Sequence, residues 1–364
     1  MFEESKKRLY EAVRYAIQSD YAVYNKQKRA CDKLAAAKDV CIFGAGRFFR
    51  EGYPYVKALI QAKYLCDNHI DGVIAEKRNT YGLECLHVDE LEQKEGILVV
   101  IMLGKGYCEV KNQLDQKRID NMYVGELLLN MYTPRHNAAW FSAQRDDIMA
   151  AADLFEDDRS RENYVEIICN RIAPHLSKKT FEEIKTEGEY FDTGVFQYLK
   201  EEIFVDIGAY TGDTIEQFCS HCQKEKIVCK QIYAYEMDAE TFEQLQENVA
   251  KIKDCNIEIH QKGIAQKDDE ANSMLCLDRA LEGKQITLIK MDIEGYEWGA
   301  LHGGRMIIQK WKPKMAVCLY HCLEDLWRIP IYIKQLNPEY KLYLRHHSPV
   351  VWDSVLYAGR IKQS

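Results

Sequence analysis

The chain is 364 residues long, more than one hydrophobic core usually serves, so two domains are expected. Its composition is typical of globular proteins, with 47% hydrophobic and 29% charged residues. The net charge of −8 argues against a general nucleic-acid binder, because it leaves no surplus of basic side chains to neutralise phosphates.

No apolar run approaches the roughly 20 residues that a helix needs to cross a bilayer, so no membrane span is predicted. The N-terminal residues are charged and helical in pattern, unlike a secretory signal. The 13 cysteines are scattered through apolar stretches, as buried reduced thiols are. We therefore expect a cytoplasmic protein.

The first part of the chain alternates between helical and strand patterns. Apolar residues recur at helical spacing over residues 1–37, and a strand follows over Asp39–Phe43. Further apolar runs, at Tyr64–Asn68 and Ile97–Leu103, are separated by helical patterns. This alternation predicts a small Rossmann-like domain over residues 38–132.

The first strand of this domain enters a Gly-x-Gly turn at Gly44 and Gly46. The second strand is followed by Asp67, near the position of the ribose-binding acid in dinucleotide folds. Phe49 occupies the place of the third glycine. Two interpretations stay open: a nucleotide or nucleotide-sugar site at these residues, or a degenerate fold used only for docking.

Residues 133–187 are helical and charged in pattern, and we interpret them as a connector. Strand and helix patterns alternate again over residues 188–364, and the last two strands are expected to pair antiparallel. The predicted fold class is therefore α/β, with two Rossmann-like doubly wound domains joined by a helical connector.

The most informative stretch of the second domain is a strand at Ile203–Ile207 that leads into an acidic, glycine-containing loop. Asp206 lies at the end of the strand, Gly208 and Gly212 permit close approach of the backbone to a ligand, and a helix begins near Thr214. The loop has acids and no lysine, so it suits a ligand with a positive centre better than a phosphate.

Three later strands of this domain also end in polar side chains, at Glu236, Asp292 and His321. The carboxyl ends of strands in a doubly wound sheet lie along one edge, so these residues and Asp206 should converge on one crevice. Glu236 is placed to accept both hydroxyls of a ribose. The set suits S-adenosylmethionine, whose sulfonium and amino group are cationic and whose ribose needs a carboxylate partner.

The second half of the chain resembles the FkbM-type family of S-adenosylmethionine-dependent methyltransferases. The matching segments include Tyr190–Phe191, Phe204–Thr214, Lys290–Glu297, Tyr320–His321, Ile329–Pro330 and Leu356–Ala358. The resemblance implies a class I methyltransferase fold over residues 188–364 and, usually, O-methylation of a sugar or of a polyketide-like metabolite. The first half resembles a small dinucleotide-type domain attached to some bacterial carbohydrate-modifying methyltransferases.

We therefore interpret the chain as an O-methyltransferase that acts on a hydroxyl of a sugar, nucleotide sugar or secondary metabolite. His321 is the first candidate for the base that removes the acceptor's proton, although it could equally be a partly buried histidine bonded to the backbone. Asp292 is expected to orient the acceptor or contact the cofactor. The predicted cofactor-binding residues are Tyr190, Phe191, Asp206, Gly208, Ala209, Tyr210, Gly212, Asp213, Thr214, Glu236, Met237, Gly263 and Asp292.

Several alternatives stay open. Asp292 and Glu294 could together hold a divalent cation, although a metal is not favoured. Cys219 and Cys222 have Cys-x-x-Cys spacing, but no second pair at zinc spacing accompanies them. The chain could instead be a non-catalytic protein that binds the cofactor or a nucleotide sugar, or a redox enzyme that uses the first domain. A small-molecule or glycan acceptor is the expected partner, and a homodimer is compatible with the sequence.

Overall fold

The computed structural model describes residues 2–20, 22–46, 49–50, 53, 56–57, 60–68, 81–103, 107–124, 135–191, 194–253, 255–349 and 351–359. Within these ranges the helices are α1 (Phe2–Gln18), α2 (Ala22–Ala36), α3 (Val88–Leu91), α4 (Tyr107–Gln116), α5 (Ala138–Ala152), α6 (Asp158–Ile172), α7 (Phe181–Ile184), α8 (Asp213–Glu225), α9 (Ala239–Val249), α10 (Leu277–Ala280), α11 (Glu297–Gly303), α12 (Arg305–Trp311) and α13 (Asp325–Leu336). None of the described helices is long and apolar enough to cross a membrane.

The strands over the same ranges are β1 (Asp39–Phe43), β2 (Tyr64–Cys66), β3 (Glu84–Leu86), β4 (Ile97–Ile101), β5 (Asn121–Tyr123), β6 (Glu201–Ile207), β7 (Val228–Glu236), β8 (Ile257–Gln261), β9 (Gly263–Ala265), β10 (Met274–Cys276), β11 (Leu288–Met291), β12 (Lys314–Cys318), β13 (Lys341–His346) and β14 (Ser354–Gly359). They form a five-stranded sheet, a seven-stranded sheet and a two-stranded pair. The predicted α/β class is confirmed.

The first sheet is wholly parallel, in the order β3-β2-β1-β4-β5. Strands β1 and β4 lie at its centre, and four of five residues in β1 and all five in β4 are buried. Helices or loops cover both faces of such a sheet, which explains why both strands read as unbroken apolar runs.

The second sheet has the order β13-β14-β12-β11-β6-β7-β8, and its strands are parallel except for β14. The predicted antiparallel pair at the end of the chain is confirmed by β13 and β14. Chain order runs outward from β6 to β7 and β8 on one side, and β11 lies on the other side of β6. In open α/β sheets, such a switch point is where ligands bind, outside the carboxyl ends of the strands.

Helix α1 belongs to the core of the second sheet, although it begins the chain. Leu9 and Val13 lie in the same buried cluster as Ile148 of α5, Ile167 of α6 and Ile289 of β11. The helical segment predicted over residues 1–37 consists of two helices, α1 and α2, and among the described side chains only those of α1 belong to this cluster.

Candidate functional site

The loop after β6 lies so close to the end of β11 that position 208 requires a glycine. Gly208 has a φ of +80°, and a Cβ there would lie 1.9 Å from the backbone oxygen of Asp292. The amides of Gly208 and Ala209 donate to the carbonyl of Tyr235 at 2.9 and 3.0 Å. The loop is therefore fixed between the ends of β7 and β11.

The far end of this loop turns directly into α8. Gly212 has a φ of +89° and immediately precedes the helix, whose first turn contains exposed Asp213 and buried Thr214. The Asn248 side chain of α9 donates to the Thr211 carbonyl at 2.9 Å. The loop thus has backbone anchors on three sides, as a preformed ligand cradle needs.

Glu236 at the end of β7 lies beside the same loop. Its Oε2 accepts a hydrogen bond from the Tyr210 amide at 3.0 Å, and its Oε1 accepts one from the Asp238 amide at 2.9 Å. The residue is half-buried, and each carboxylate oxygen has a second acceptor position that a ribose hydroxyl could use.

Large apolar side chains lie exposed around this carboxylate. Tyr210 is 61% exposed and Met237 is 55% exposed. Gly263 lies next to Met237, since a Cβ on Gly263 would be 3.5 Å from the Met237 sulfur. The structure therefore brings Tyr210, Glu236, Met237 and Gly263 together, where the flat base of a nucleoside could be covered.

Asp206 lies deeper than the cradle itself. Its side chain is fully buried, and its Oδ1 lies 3.2 Å from Lys290 Nζ, which also donates to the Gly208 carbonyl at 2.6 Å. Burial raises the pKa of Asp206 to about 6, although the Lys290 charge acts in the opposite direction. The acids of this loop suggested a ligand with a positive centre. For Asp206, the positive charge is supplied by Lys290 of the neighbouring strand.

Asp292 accepts hydrogen bonds from two tyrosine hydroxyls. Tyr190 Oη donates to its Oδ2 and Tyr320 Oη donates to its Oδ1, each at 3.0 Å. Burial acts to raise the pKa of Asp292, but the Lys290 and His321 charges and these two hydrogen bonds outweigh it and lower the pKa. Asp292 is therefore a fixed anionic group at the end of β11.

His321 lies between three carboxylates. Its Nδ1 donates to Oε1 of the fully buried Glu297 at 2.8 Å, and its Nε2 lies 3.5 Å from Asp292 Oδ1 and 3.4 Å from Glu294 Oε2. Because a carboxylate can only accept at Nδ1, the proton of the neutral ring lies there and Nε2 carries the lone pair. The hydrogen-bond partner of His321 is thus a side chain rather than the backbone.

Several effects act on the pKa of His321. Burial, the largest of them, lowers it, but the hydrogen bond to Glu297 and the charges of Glu297, Asp292 and Glu294 together raise it above its ordinary value of 6.5. A buried carboxylate behind an imidazole fixes its tautomer and stabilises its protonated form, as general-base catalysis requires.

The same groups approach the spacing of a cation site. One ligand atom each from Asp292, Glu297 and His321 lies within 4.8 Å of the others. However, Glu297 Oε1 already accepts from the Ile293 amide at 2.9 Å as well as from His321. Mg²⁺ and Ca²⁺ need six or more ligands, mainly oxygen, so this cluster suits proton transfer better than a hard cation.

Tyr190 and Phe191 are both buried, and they face different surroundings. Phe191 packs against the rings of Phe204 and Phe218, at centroid distances of 5.7 and 5.3 Å. Tyr190 has a φ of +61°, and its amide donates to Tyr357 Oη at 2.8 Å. The hydroxyl of Tyr190 donates to Asp292. Of the pair, Tyr190 is the one in contact with the polar site.

A polar cleft runs from this segment along α8. It has a volume of about 720 Å³, and it is lined by Gly188, Glu189, Phe191, Asp213, Glu216, Gln217, Ser220, His221 and Lys224. Burial and the charges of Asp353 and Asp292 raise the pKa of Glu189 to about 8. The cleft has room for a small polar molecule beside the loop after β6.

The first sheet repeats part of this arrangement. Asp67 Oδ2 accepts a hydrogen bond from the Ala45 amide at 2.9 Å, as Glu236 does from Tyr210. Gly44 has a φ of +111°, and a Cβ there would lie 2.6 Å from the Met102 carbonyl oxygen. Among the described residues, no atom lies within 4 Å of the Cβ position of Gly46. Gly44 is therefore required by packing between β1 and β4, whereas Gly46 leaves room at the turn.

Lys290, Glu297 and Tyr320 lie in the segments that resemble the FkbM-type family, but the sequence pattern assigns no role to any of them. A signal was available for Lys290, because a lysine within an apolar strand indicates a buried acidic partner. Glu297 lies at the start of α11, whereas its partner His321 follows β12. The contact between them therefore depends on how these two elements pack.

Comparisons with known proteins agree with this architecture. Residues 266–346 match the family model described as the methyltransferase FkbM domain, and the match includes Asp292, Glu297 and His321. A search of curated proteins found no match.

Solved structures also resemble this chain. The crystal structure of methyltransferase FkbM from Methylobacillus flagellatus has a TM-score of 0.66 and 21% identity, covering 93% of this chain and 99% of that chain. An rRNA methylase from Streptococcus thermophilus has a TM-score of 0.33 and 14% identity, covering 45% and 89%. Fibrillarin from Aeropyrum pernix, solved with natively bound S-adenosyl-L-methionine, has a TM-score of 0.30 and 12% identity, covering 46% and 70%. The resemblance drawn from the sequence is confirmed: residues 266–346 match the model of the methyltransferase FkbM domain, and the fold is similar to that of a solved FkbM methyltransferase.

Proposed function

We propose that this protein transfers the methyl group of S-adenosylmethionine to a hydroxyl of a sugar, nucleotide sugar or secondary metabolite. The FkbM methyltransferase match supports methyl transfer. The observation that carries the hydroxyl acceptor is the buried Glu297 behind His321, with Nε2 of the imidazole aimed at the end of β11. Oxygen acceptors benefit from such a base because they lose a proton as the new bond forms.

The cofactor would lie across the ends of β6 and β7. The loop can lie against the end of β11 because Gly208 has no side chain to collide with the Asp292 backbone. Glu236 would accept the ribose hydroxyls, and Tyr210 and Met237 would cover the base. When bound, the cofactor supplies a methyl group already activated by its sulfonium, so the protein mainly aligns the acceptor for in-line attack.

The acceptor hydroxyl would lie beside both Asp292 and His321, whose nearest atoms are 3.5 Å apart, within hydrogen-bond reach of each. Nε2 of His321 would take the hydroxyl proton while the acceptor oxygen bonds to the methyl carbon and the carbon–sulfur bond breaks. Glu297 would stabilise the imidazolium that results. Asp292, held by Tyr190 and Tyr320, would keep the acceptor and the imidazole in line.

Two measurements test the proposal. Calorimetric titration with S-adenosylhomocysteine should show binding to the wild type and to Glu240→Gln, an exposed control on α9, and loss of binding in Glu236→Ala. Incubation with methyl-labelled cofactor and a panel of sugars and nucleotide sugars should label an oxygen of one acceptor. His321→Asn should keep cofactor affinity and lose about 10²–10⁴-fold in rate. Unchanged affinity in Glu236→Ala, or label found only on nitrogen or carbon, contradicts the assignment.

A further inference from the structure

Three cysteine thiols from separate segments meet at the end of the second sheet that lies away from the cofactor loop. Cys219 is on α8, Cys229 is the second residue of β7, and Cys255 follows α9. Their Sγ atoms all lie within 4.8 Å of one another. The sulfurs of Cys219 and Cys255 are 3.0 Å apart.

The 4.8 Å limit on these separations includes the spacing that a tetrahedral ion with sulfur ligands requires, and the Cys219 and Cys255 sulfurs would move apart by about 0.8 Å to reach it. Zinc–sulfur bonds are about 2.3 Å long, which puts neighbouring sulfurs about 3.8 Å apart around the ion. Cys219 is 7% exposed, and Cys229 and Cys255 are half-buried, so the cluster is enclosed and still reachable from solvent.

A fourth thiol lies close by on the same helix. Cys222 is one turn after Cys219, is buried, and belongs to the same apolar cluster. Cys222 is not among the three cysteines whose sulfurs lie within 4.8 Å of one another, so a solvent molecule would supply the fourth ligand.

We propose that Cys219, Cys229 and Cys255 form a site for a thiophilic metal ion of the zinc class, with a solvent molecule as the fourth ligand. The thiols bind as thiolates and release their protons to solvent, and no group changes oxidation state. A simple disulfide would use two of the sulfurs and would not explain the convergence of a third.

The proposed ion would connect the elements that hold the cofactor, while lying apart from the reacting atoms. It would join α8, which begins at Asp213, to β7, which ends at Glu236, and to the segment after α9. This inference does not depend on the proposed methyl transfer, because it concerns the folding of this part of the chain.

The sequence left this site open because the spacing of Cys219 and Cys222 lacks a second pair. The remaining thiols come singly, from β7 and from the segment before β8. Only the packing of α8 against this edge of the sheet brings them together.

The test uses the full chain, purified reduced, freed of metal by a chelator and titrated with Co²⁺ alone. We expect a thiolate-to-cobalt charge-transfer band that saturates at about one ion per chain and that Zn²⁺ abolishes. Cys229→Ser and Cys255→Ser should weaken Co²⁺ binding by about 100-fold or more. Cys31→Ser, a half-buried cysteine on α2, should leave the band unchanged.

Controls separate metal binding from misfolding. Far-ultraviolet circular dichroism of the metal-free variants should match the metal-free wild type. Zn²⁺ should raise the melting temperature of the wild type and of Cys31→Ser but not of Cys255→Ser. Absence of the charge-transfer band in reduced wild type overturns the proposal, and so does a band that survives in both Cys229→Ser and Cys255→Ser. Affinity for S-adenosylhomocysteine, measured on the same samples, reports on the proposed function separately.

Discussion

Different carboxylates contact the two ring nitrogens of His321. Glu297 holds Nδ1, while Asp292 and Glu294 face Nε2 from the other side. Glu297 is fully buried, whereas the Glu294 side chain is 89% exposed. A buried charge acts on the imidazole with little screening, and an exposed one is weakened by water and salt. Glu297 should therefore dominate the protonation of His321.

This arrangement predicts the pH dependence of methyl transfer. Only the neutral imidazole accepts a proton, so kcat/KM should rise with pH through the raised pKa of His321, with a midpoint above 6.5. Glu297→Gln removes the nearest charge, so the midpoint should move to lower pH and the plateau rate should fall by about 10²-fold. Glu294→Gln is the matched control and should shift the midpoint less. Glu297→Gln with an unchanged midpoint contradicts the dyad.

Gly208 offers a second test at the scale of one residue. In Gly208→Ala the new Cβ would overlap the Asp292 backbone at 1.9 Å, and an alanine at a φ of +80° is strained. We expect the loop to shift, cofactor affinity to fall at least about tenfold, and stability to fall by about 1–3 kcal/mol. Calorimetric titration measures the cofactor affinity, and urea unfolding measures the stability. Gly46→Ala, with open space around its Cβ, should change neither; full affinity in Gly208→Ala would refute the proposed cradle.

At the scale of elements, β6 and β11 are joined by a buried ion pair across the switch point. Asp206 and Lys290 are register partners in these strands, and Lys290 also bonds the Gly208 carbonyl. Lys290 thereby connects the loop after β6 to the strand that precedes Asp292. The geometry of the site depends on this pairing as much as on the loop itself.

Removing one partner of this pair should be costly. Lys290→Met leaves the Asp206 carboxylate buried without its counter-ion, and we expect a loss of about 3–5 kcal/mol in urea unfolding at pH 7. The double variant Asp206→Asn, Lys290→Met should lose less, because no buried charge remains. In the single variant the pKa of Asp206 should rise further above its present value of about 6, so stability should fall as pH increases through that range. Strictly additive losses would show that the pair is not coupled.

The sequence predicted elements better than it predicted contacts between them. Strand patterns were enough to bring Glu236, Asp292 and His321 to one edge, because the carboxyl ends of parallel strands share that edge. The pairings of Asp206 with Lys290 and of His321 with Glu297 were not predicted, since each joins separate segments. The hydrophobic pattern of a segment indicates whether it forms a helix or a strand. Contacts between side chains of different segments depend on how those helices and strands pack.

At the scale of the whole molecule, the position of a segment along the chain does not determine which sheet its side chains pack against. Helix α1 lies in the core of the second sheet, and Arg8 of this helix pairs with buried Glu166 of α6 at 2.7 Å. In the other direction, Val351, between β13 and β14, belongs to the core of the first sheet. The two sheets are therefore joined by crossing segments as well as by the connector, and substitutions near the N-terminus should affect the second sheet.

Two matched leucines test this architecture. Leu9 of α1 and Leu65 of β2 are both fully buried, in the cores of the second and first sheets. Each change to alanine should cost about 2–5 kcal/mol, because it removes apolar contacts and leaves a cavity. Hydrogen exchange followed by mass spectrometry should show Leu9→Ala increasing exchange in β11 and α6, and Leu65→Ala increasing it in β1 and β4. Only the exchange raised by Leu9→Ala should be suppressed by S-adenosylhomocysteine, since the ligand stabilises the domain that binds it. If Leu9→Ala instead loosens β1 and β4, helix α1 belongs with the first sheet, and the division of cores given above is wrong.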